Sequence, residues 1–322
     1  MKSELIKDLR NINIFLYMIK LLNVKKNIAM DTEDITETAK KEFSSQVNKQ
    51  KGEISLKVIE NPKFLTDDQK DSWNNNGFIL LKNFCSEDTC SEMNLSVIDI
   101  INTMVSPKDL FSHAYAKDGY IGIREMKPNP EAKTIHDEMS KIFRLHGKGV
   151  FNEFINNKRL LDFLEDILGE NIDCFLSQYI FKNPGAWGQP WHQDSSYFPF
   201  DRYPQVGAWI ATSPATIENG CLVILPGSHQ EHLHEHLPDD REGSNYGYTE
   251  IKDQDFSNEI PLTLETGDLL LFHSFLMHKS YDNKSRSKRT AVVFHFAETG
   301  TDYGQLDSPT NEWISVRGSG LN

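Results

Sequence analysis

The first part of the chain has no clear hydrophobic period. An apolar run at Ile12–Val24 is broken by Lys20, and residues 31–56 are polar and charged. The first strong signal is Thr66 followed three residues later by Gln69, the reciprocal pattern of a capping box. It predicts a short helix over Asp67–Asn75, ended by Gly77. Phe78–Phe84 then reads as a buried strand. Ser86, with Glu87 and Asp88 behind it, predicts a second helix running to about Met104. Residues 105–135, with Gly119, Gly122, Pro128 and Pro130, read as mixed loops. Further helices are expected around Thr134–His146 and over Lys158–Leu168, the second stopped by Gly169.

Beyond Gly169 the period shortens. β-rich runs recur at Asp173–Phe181, Gln205–Thr212, Leu222–Leu225, Ile260–Leu264, Asp268–His273 and Arg289–Phe296. Turn signals separate them: Asn183-Pro-Gly, Glu218-Asn-Gly, Pro226-Gly-Ser and Thr266-Gly-Asp. Short strands at this spacing predict a sandwich or jelly roll. The expected organisation is an N-terminal extension over 1–61, poorly ordered or helical, then one α+β domain over 62–305. Helices come first in that domain and a β core follows. A polar C-terminal tail covers 306–322.

Composition narrows the class. The 322 residues carry 34 basic and 47 acidic side chains, a net charge of −13. An acidic surface of that size argues against nucleic acid or anionic membranes as partners. No apolar run approaches the roughly 18 residues of a spanning helix. Cys85, Cys90, Cys174 and Cys221 contain no C-x-x-C pair and do not read as a disulfide scaffold or a zinc finger. A reducing, cytoplasmic setting follows, with organelle targeting through the extension left open. Met30, followed by acidic Asp31-Thr-Glu-Asp after a basic stretch, is a candidate start codon.

Candidate chemistry begins at His192-Gln-Asp194. On an extended strand residues two apart share a face, so both side chains could meet one ion. The alternative is a strand end facing solvent. Two histidines and one carboxylate on one face of an octahedron are the ligand set of non-haem Fe(II) oxygenases. Gly267–Ser280 offers His273 and His278 as the third ligand; five apart, they face opposite ways on a continuous strand. Arg289 opens an apolar strand, an odd place for a charge without an anionic partner. A guanidinium is a planar, bidentate, permanently charged anchor for a carboxylate such as the far end of 2-oxoglutarate. Lys284, Arg286 and Lys288 read as a surface cluster. His229, His232, His234 and His236 recur at short spacing, but their Glu-rich setting reads as a solvated loop. Residues 238–258 read as a flexible loop bordering the site. Tyr197, Phe198, Phe200 and Tyr203 are candidates for a substrate pocket or for core packing.

Several linked motifs resemble the phytanoyl-CoA dioxygenase family of Fe(II)/2-oxoglutarate oxygenases. They are His192-Gln-Asp194, Tyr197-Phe-Pro, Ala208-Trp-Ile-Ala, Glu218-Asn-Gly-Cys-Leu, Ile224-Leu-Pro-Gly-Ser-His and Gly267-Asp. The run from His278 through Ser280 to Asn283 and Arg289, eleven residues after His278, completes the order. Leu65-Thr and Gly77-Phe-Ile-Leu-Leu extend the resemblance over about residues 62–300. The resemblance implies a double-stranded β-helix, cupin-like core. It implies that His192, Asp194 and His278 bind iron and that Arg289 and Ser280 hold the 2-oxoglutarate carboxylate. Trp209 and Gln178 would lie beside the cosubstrate, and Lys141, from the helical region, would reach it. The implied reaction consumes 2-oxoglutarate and O2, with ascorbate admissible as a reductant, and hydroxylates a C–H of a small molecule or an acyl-CoA ester. Asp194 argues against the halogenating relatives that lose this carboxylate. Two rivals remain: a silent cupin-like binding or sensor protein, and a cupin metalloenzyme that does not use 2-oxoglutarate.

Overall fold

The structure is a computed structural model. It describes residues 58–318 apart from 105–113, 128, 130, 199, 246–247 and 303–309. The expected extension over 1–61 and the Met30 start therefore lie almost wholly outside the described residues. Helix α1 (Asp67–Asn76) begins at Thr66, whose capping box with Gln69 is formed, and ends at Gly77 in the left-handed conformation. Strand β1 (Phe78–Leu81) is shorter than expected. Helix α2 (Glu87–Met104) follows, the Thr89 N–H donating to the Ser86 hydroxyl at its start.

Of the stretch expected to be mixed loops, residues 105–113, 128 and 130 lie outside the described residues, and residues 114–124 are ordered as strands. β2 (Ala114–Lys117) and β3 (Tyr120–Arg124) form a hairpin around Asp118-Gly119, both at positive φ. Asp-Gly is a favoured pair for such a turn. The helix expected around Thr134–His146 is absent: a single 3-10 turn at Ile135–Asp137 leads into β4 (Met139–Phe143). Pairing of β4 with both β3 and the next long strand overrides the helical reading. α3 (Gly149–Ile155) and α4 (Lys158–Leu168) complete the α-helices among the described residues.

The β core then runs β5 (Ile172–Lys182), β6 (Val206–Ala211), β7 (Leu222–Ile224), β8 (Leu237–Pro238), β9 (Thr249–Glu250) and β10 (Ile260–Leu262). It continues with β11 (Leu269–His273), β12 (His278–Ser280), β13 (Arg289–Glu298) and β14 (Ile314–Arg317). One large antiparallel sheet has the order β1-β11-β6-β13-β5-β4-β3-β2, with β14 also pairing β5. A second sheet has the order β10-β7-β12. This is the expected α+β jelly roll. β14 lies within the stretch expected to be a polar tail: its pairing with β5 and the burial of Val316 bring it into the domain.

Alternation sorts the strand residues onto two faces. Ile210, Leu271, Val292 and Phe294 pack outward against Met93, Val97 and Ile101 of α2 and Leu160 and Leu164 of α4. Trp209, Leu270, Phe272, Ala291 and Val293 point the other way and meet Leu222 and Ile224 of the small sheet. Covering both faces explains why these strands read as continuous apolar runs. At the far edge, buried Asp268 fastens β1 to β11. It accepts from Lys82 Nζ and from the backbone N–H groups of Asn83 and Glu265. Burial alone would raise its carboxyl, but those donors carry it below the usual carboxylate range.

The stabilisation from Asp268 is thus present above the ordinary carboxyl pKa and lost as pH falls through the lower folded-state value. Asp268→Asn should cost about 1–3 kcal/mol near pH 7. In urea denaturation the gap to wild type should narrow on acidification toward about pH 3; a gap independent of pH would contradict the ionic role.

Candidate metal and cosubstrate site

His192 and His278 are brought together by the backbone. Each residue's N–H donates to the other's carbonyl at 3.0 Å, an isolated antiparallel bridge that ties the segment after β5 to β12. The His192-x-Asp194 pair is therefore not on a regular strand: Asp194 begins a 3-10 turn that swings its carboxylate back toward the two rings. Nε2 of His192 and Nε2 of His278 lie 3.5 and 3.7 Å from the same oxygen, Asp194 Oδ1. Ligand atoms of the three residues fall within 4.8 Å of one another, and all three residues are buried. His192 Nδ1–H donates to the Pro190 carbonyl at 2.8 Å, and His278 Nδ1–H donates to the Leu276 carbonyl at 2.9 Å. Those bonds turn each Nε2 toward Asp194, and the His192 Nε2 also accepts from the Gln189 side-chain amide at 3.0 Å. Burial, with His192 alongside, lowers His278 to about 4, so its ring is neutral at pH 7. Burial acts to raise Asp194, but the facing His278 and His192 rings hold it below the ordinary carboxylate range. Two imidazole lone pairs and one carboxylate fit a divalent ion.

His273, the other candidate from the same segment, lies elsewhere. It packs against Trp73 and His229, accepts from the Phe275 N–H, and is lowered to about 3 by burial. The expected solvated histidine loop needs correction, because His229, His234 and His236 are buried. His236 Nε2 accepts from the Gln193 N–H at 2.9 Å, which steadies the residue between His192 and Asp194.

A cavity of about 150 Å³ adjoins the three ligands. Arg289, Ser280, Trp209, Gln178 and Lys141 all line it, as do Tyr197 and Phe198. Phe200 and Tyr203 do not: Phe200 packs against Phe175, and Tyr203 against Phe275. Lys141 comes from strand β4 rather than a helix, and Gln189 Oε1 lies 3.5 Å from its Nζ. Burial lowers its ammonium to about 8, against the pull of Asp194 and Glu125.

Arg289 is 1% exposed. Its Nη2 donates to the Gly220 carbonyl at 2.8 Å, while Nε and Nη1 have no hydrogen-bond partner among the described residues. Burial brings its pKa down to about 10, which still leaves a cation at neutral pH. A buried guanidinium with two unpaired nitrogens facing a cavity fits a carboxylate ligand. Lys182, His295 and Glu125 are among the polar lining residues that the sequence reading missed. Lys182 and His295 lie on the cavity face by strand alternation, an even number of positions along their own strands from Gln178 and Arg289 respectively. That parity was readable; the burial was not. Glu125, held by Asn245 and Ser140, comes from a loop with no local signal.

The phytanoyl-CoA dioxygenase (PhyH) family model matches residues 73–291. The peroxisomal phytanoyl-CoA dioxygenase of Bos taurus is 30% identical over 257 residues, covering 78% of this chain and 74% of that protein. Phytanoyl-CoA dioxygenase 1 of Oryza sativa subsp. japonica is 26% identical, covering 73% and 90%. Among solved structures, EctD from S. alaskensis with 2-oxoglutarate and 5-hydroxyectoine aligns with a TM-score of 0.55 at 18% identity, covering 76% and 81%; this likeness shows the shared fold. By the length of the family match and by its relatives, the chain belongs to the phytanoyl-CoA dioxygenase family of non-haem iron- and 2-oxoglutarate-dependent oxygenases.

Proposed function

We propose that His192, Asp194 and His278 hold the ferrous ion and that Arg289 and Ser280 hold the distal carboxylate of 2-oxoglutarate. Trp209, Gln178 and Lys141 wall the same chamber. The product is the alcohol of a small organic substrate, taken free or as an acyl-CoA ester. The single observation that carries this reading is the shared cavity. One end holds a preset two-histidine, one-carboxylate cluster, and the same walls hold a buried arginine with unpaired donors.

When bound, iron and 2-oxoglutarate supply the oxidising power, with O2 consumed and succinate and CO2 released. The chain's own part is to bind, orient and exclude water. Asp194 stays ionised and His278 neutral, so these two donors need no proton loss before taking up a divalent ion. Arg289 offers a fixed fork that sets how deep the dicarboxylate sits. Phe143, Leu176, Phe198 and Val293 supply an apolar lining that excludes bulk water. The acidic net charge disfavours a CoA ester, whose phosphates need a basic landing site; exposed Lys284, Arg286 and Lys288 offer one nearby. Four free cysteines support a reducing compartment, in our reading the cytoplasm. Among the described residues no helix is long and apolar enough to cross a membrane.

The deciding experiment is an anaerobic titration with Fe(II) and 2-oxoglutarate, read by the weak visible charge-transfer band. Wild type should develop the band. Arg289→Ala should need at least about tenfold more 2-oxoglutarate, since hydrogen bonds to charged groups contribute about 1.5–3 kcal/mol each. An iron-loaded wild type without the band would favour a binding protein or a metalloenzyme that does not use 2-oxoglutarate. His192→Ala should lose stoichiometric Fe(II) while keeping its far-ultraviolet circular dichroism. Retained iron in that variant would overturn the ligand assignment.

A further inference from the structure

Lys182 is a buried lysine of the cavity wall to which the proposed function gives no task. It ends β5 directly across the ladder from Arg289, and both side chains are buried. Like charges placed opposite each other across an antiparallel pair are destabilising. Burial and the Arg289 guanidinium press the Lys182 ammonium well below its usual range. A lysine kept there has hydrogen bonds to make. Its Nζ donates to Ser280 Oγ at 2.7 Å, to the Tyr281 carbonyl at 2.8 Å and to the Trp187 carbonyl at 3.5 Å. The backbone N–H of Gln189 donates to the same Ser280 Oγ at 3.1 Å.

These two donors decide what Ser280 can do. A hydroxyl oxygen has two lone pairs and one proton. Lys182 and Gln189 engage both lone pairs, so the proton is what Ser280 has left to offer. Ser280 and Arg289 line the same cavity, and the arginine needs an acceptor there. Neither donor has slack. A Cβ on Gly188 would fall 1.9 Å from the Ser280 carbonyl oxygen, so the Gln189 segment lies flush against β12. A Cβ on Gly220 would meet the Lys182 stem at 2.3 Å, so that stem is clamped as well.

We propose that Lys182 is a positioning residue for the distal carboxylate of 2-oxoglutarate. With the Gln189 amide it commits the Ser280 hydroxyl to donation, and Ser280 and Arg289 then bind that carboxylate together. This rests on the cosubstrate site proposed above. Without Lys182, the Tyr281 carbonyl loses its donor and competes for the Ser280 proton, turning it away from the cavity.

A double-mutant cycle tests the idea by calorimetric binding to the Mn(II)-loaded protein. The probes are 2-oxoglutarate and 2-oxovalerate, a keto acid with no distal carboxylate. Lys182→Met and Ser280→Ala should each weaken 2-oxoglutarate roughly ten- to a hundredfold. The double variant should bind no more weakly than Ser280→Ala alone, and 2-oxovalerate should be indifferent to both changes. Losses that multiply, an unchanged affinity in Lys182→Met, or a parallel loss of 2-oxovalerate would each overturn the role of Lys182. Should Lys182→Met not fold, Lys182→Gln enters the cycle in its place, with a smaller loss that again vanishes on the Ser280→Ala background. A wild type that binds 2-oxovalerate but gains nothing from the distal carboxylate would overturn the cosubstrate reading itself.

Discussion

The ladder between β5 and β13 governs the rest of the structure. It runs in antiparallel register from Arg289 opposite Lys182 to Glu298 opposite Ile172. Because side chains alternate, this pairing sends one set of residues under the helices and the other into the cavity. A one-residue slip would carry Arg289 into the apolar layer beneath α2 and α4, and Phe294 into the chamber. The apolar layer, built on Val292 and Phe294, makes such a slip costly. The hydrophobic face thereby holds the polar one in place, and the position of the guanidinium follows from packing on the opposite side of the sheet.

The cavity keeps several ionisable groups out of water by distributing them. Asp194 lies among imidazole rings, and Glu125 takes donors from Asn245 and Ser140. Lys141 stands within the field of both carboxylates. Lys182 feels Glu125 and Asp282, whereas no carboxylate among the described residues acts on Arg289, whose end of the chamber is left short of negative charge. A dianion such as 2-oxoglutarate complements this arrangement in the proposed reading, with its keto-acid end toward a divalent ion and its free carboxylate toward Arg289. The family match and the chamber's charge pattern point to the same chemistry through separate arguments.

Much of this was legible in the residues. The capping box at Thr66, the stop at Gly169 and the main β runs are local signals, and each forms as expected. The linked motifs from His192 to Arg289 gave the candidate ligands. What failed was long-range. Met139–Phe143 has no strong preference of its own and becomes a strand because β3 and β5 flank it. β14 joins the sheet at the end of β5 that β4 leaves open. The histidines after Ser228 look solvated from their acidic neighbours, yet the chain folds inward and His236 reaches the Gln193 amide. Lys182 could have been placed by counting in twos from Gln178; its bond to Ser280 depends on the return of β12, which no local pattern announces.

The carbonyl bonds at the far side of both histidine rings have a consequence for metal choice. His192 and His278 are oriented by carbonyls of the chain itself, those of Pro190 and Leu276. Such a socket spends little conformational freedom on loading, and for the same reason it cannot reshape itself to refuse a competitor. Among first-row divalent ions, nitrogen and oxygen sites generally hold nickel, copper and zinc more tightly than ferrous iron. Which ion occupies this protein is then a property of the surrounding metal pool as much as of the fold, and zinc or copper excess would silence it by simple displacement.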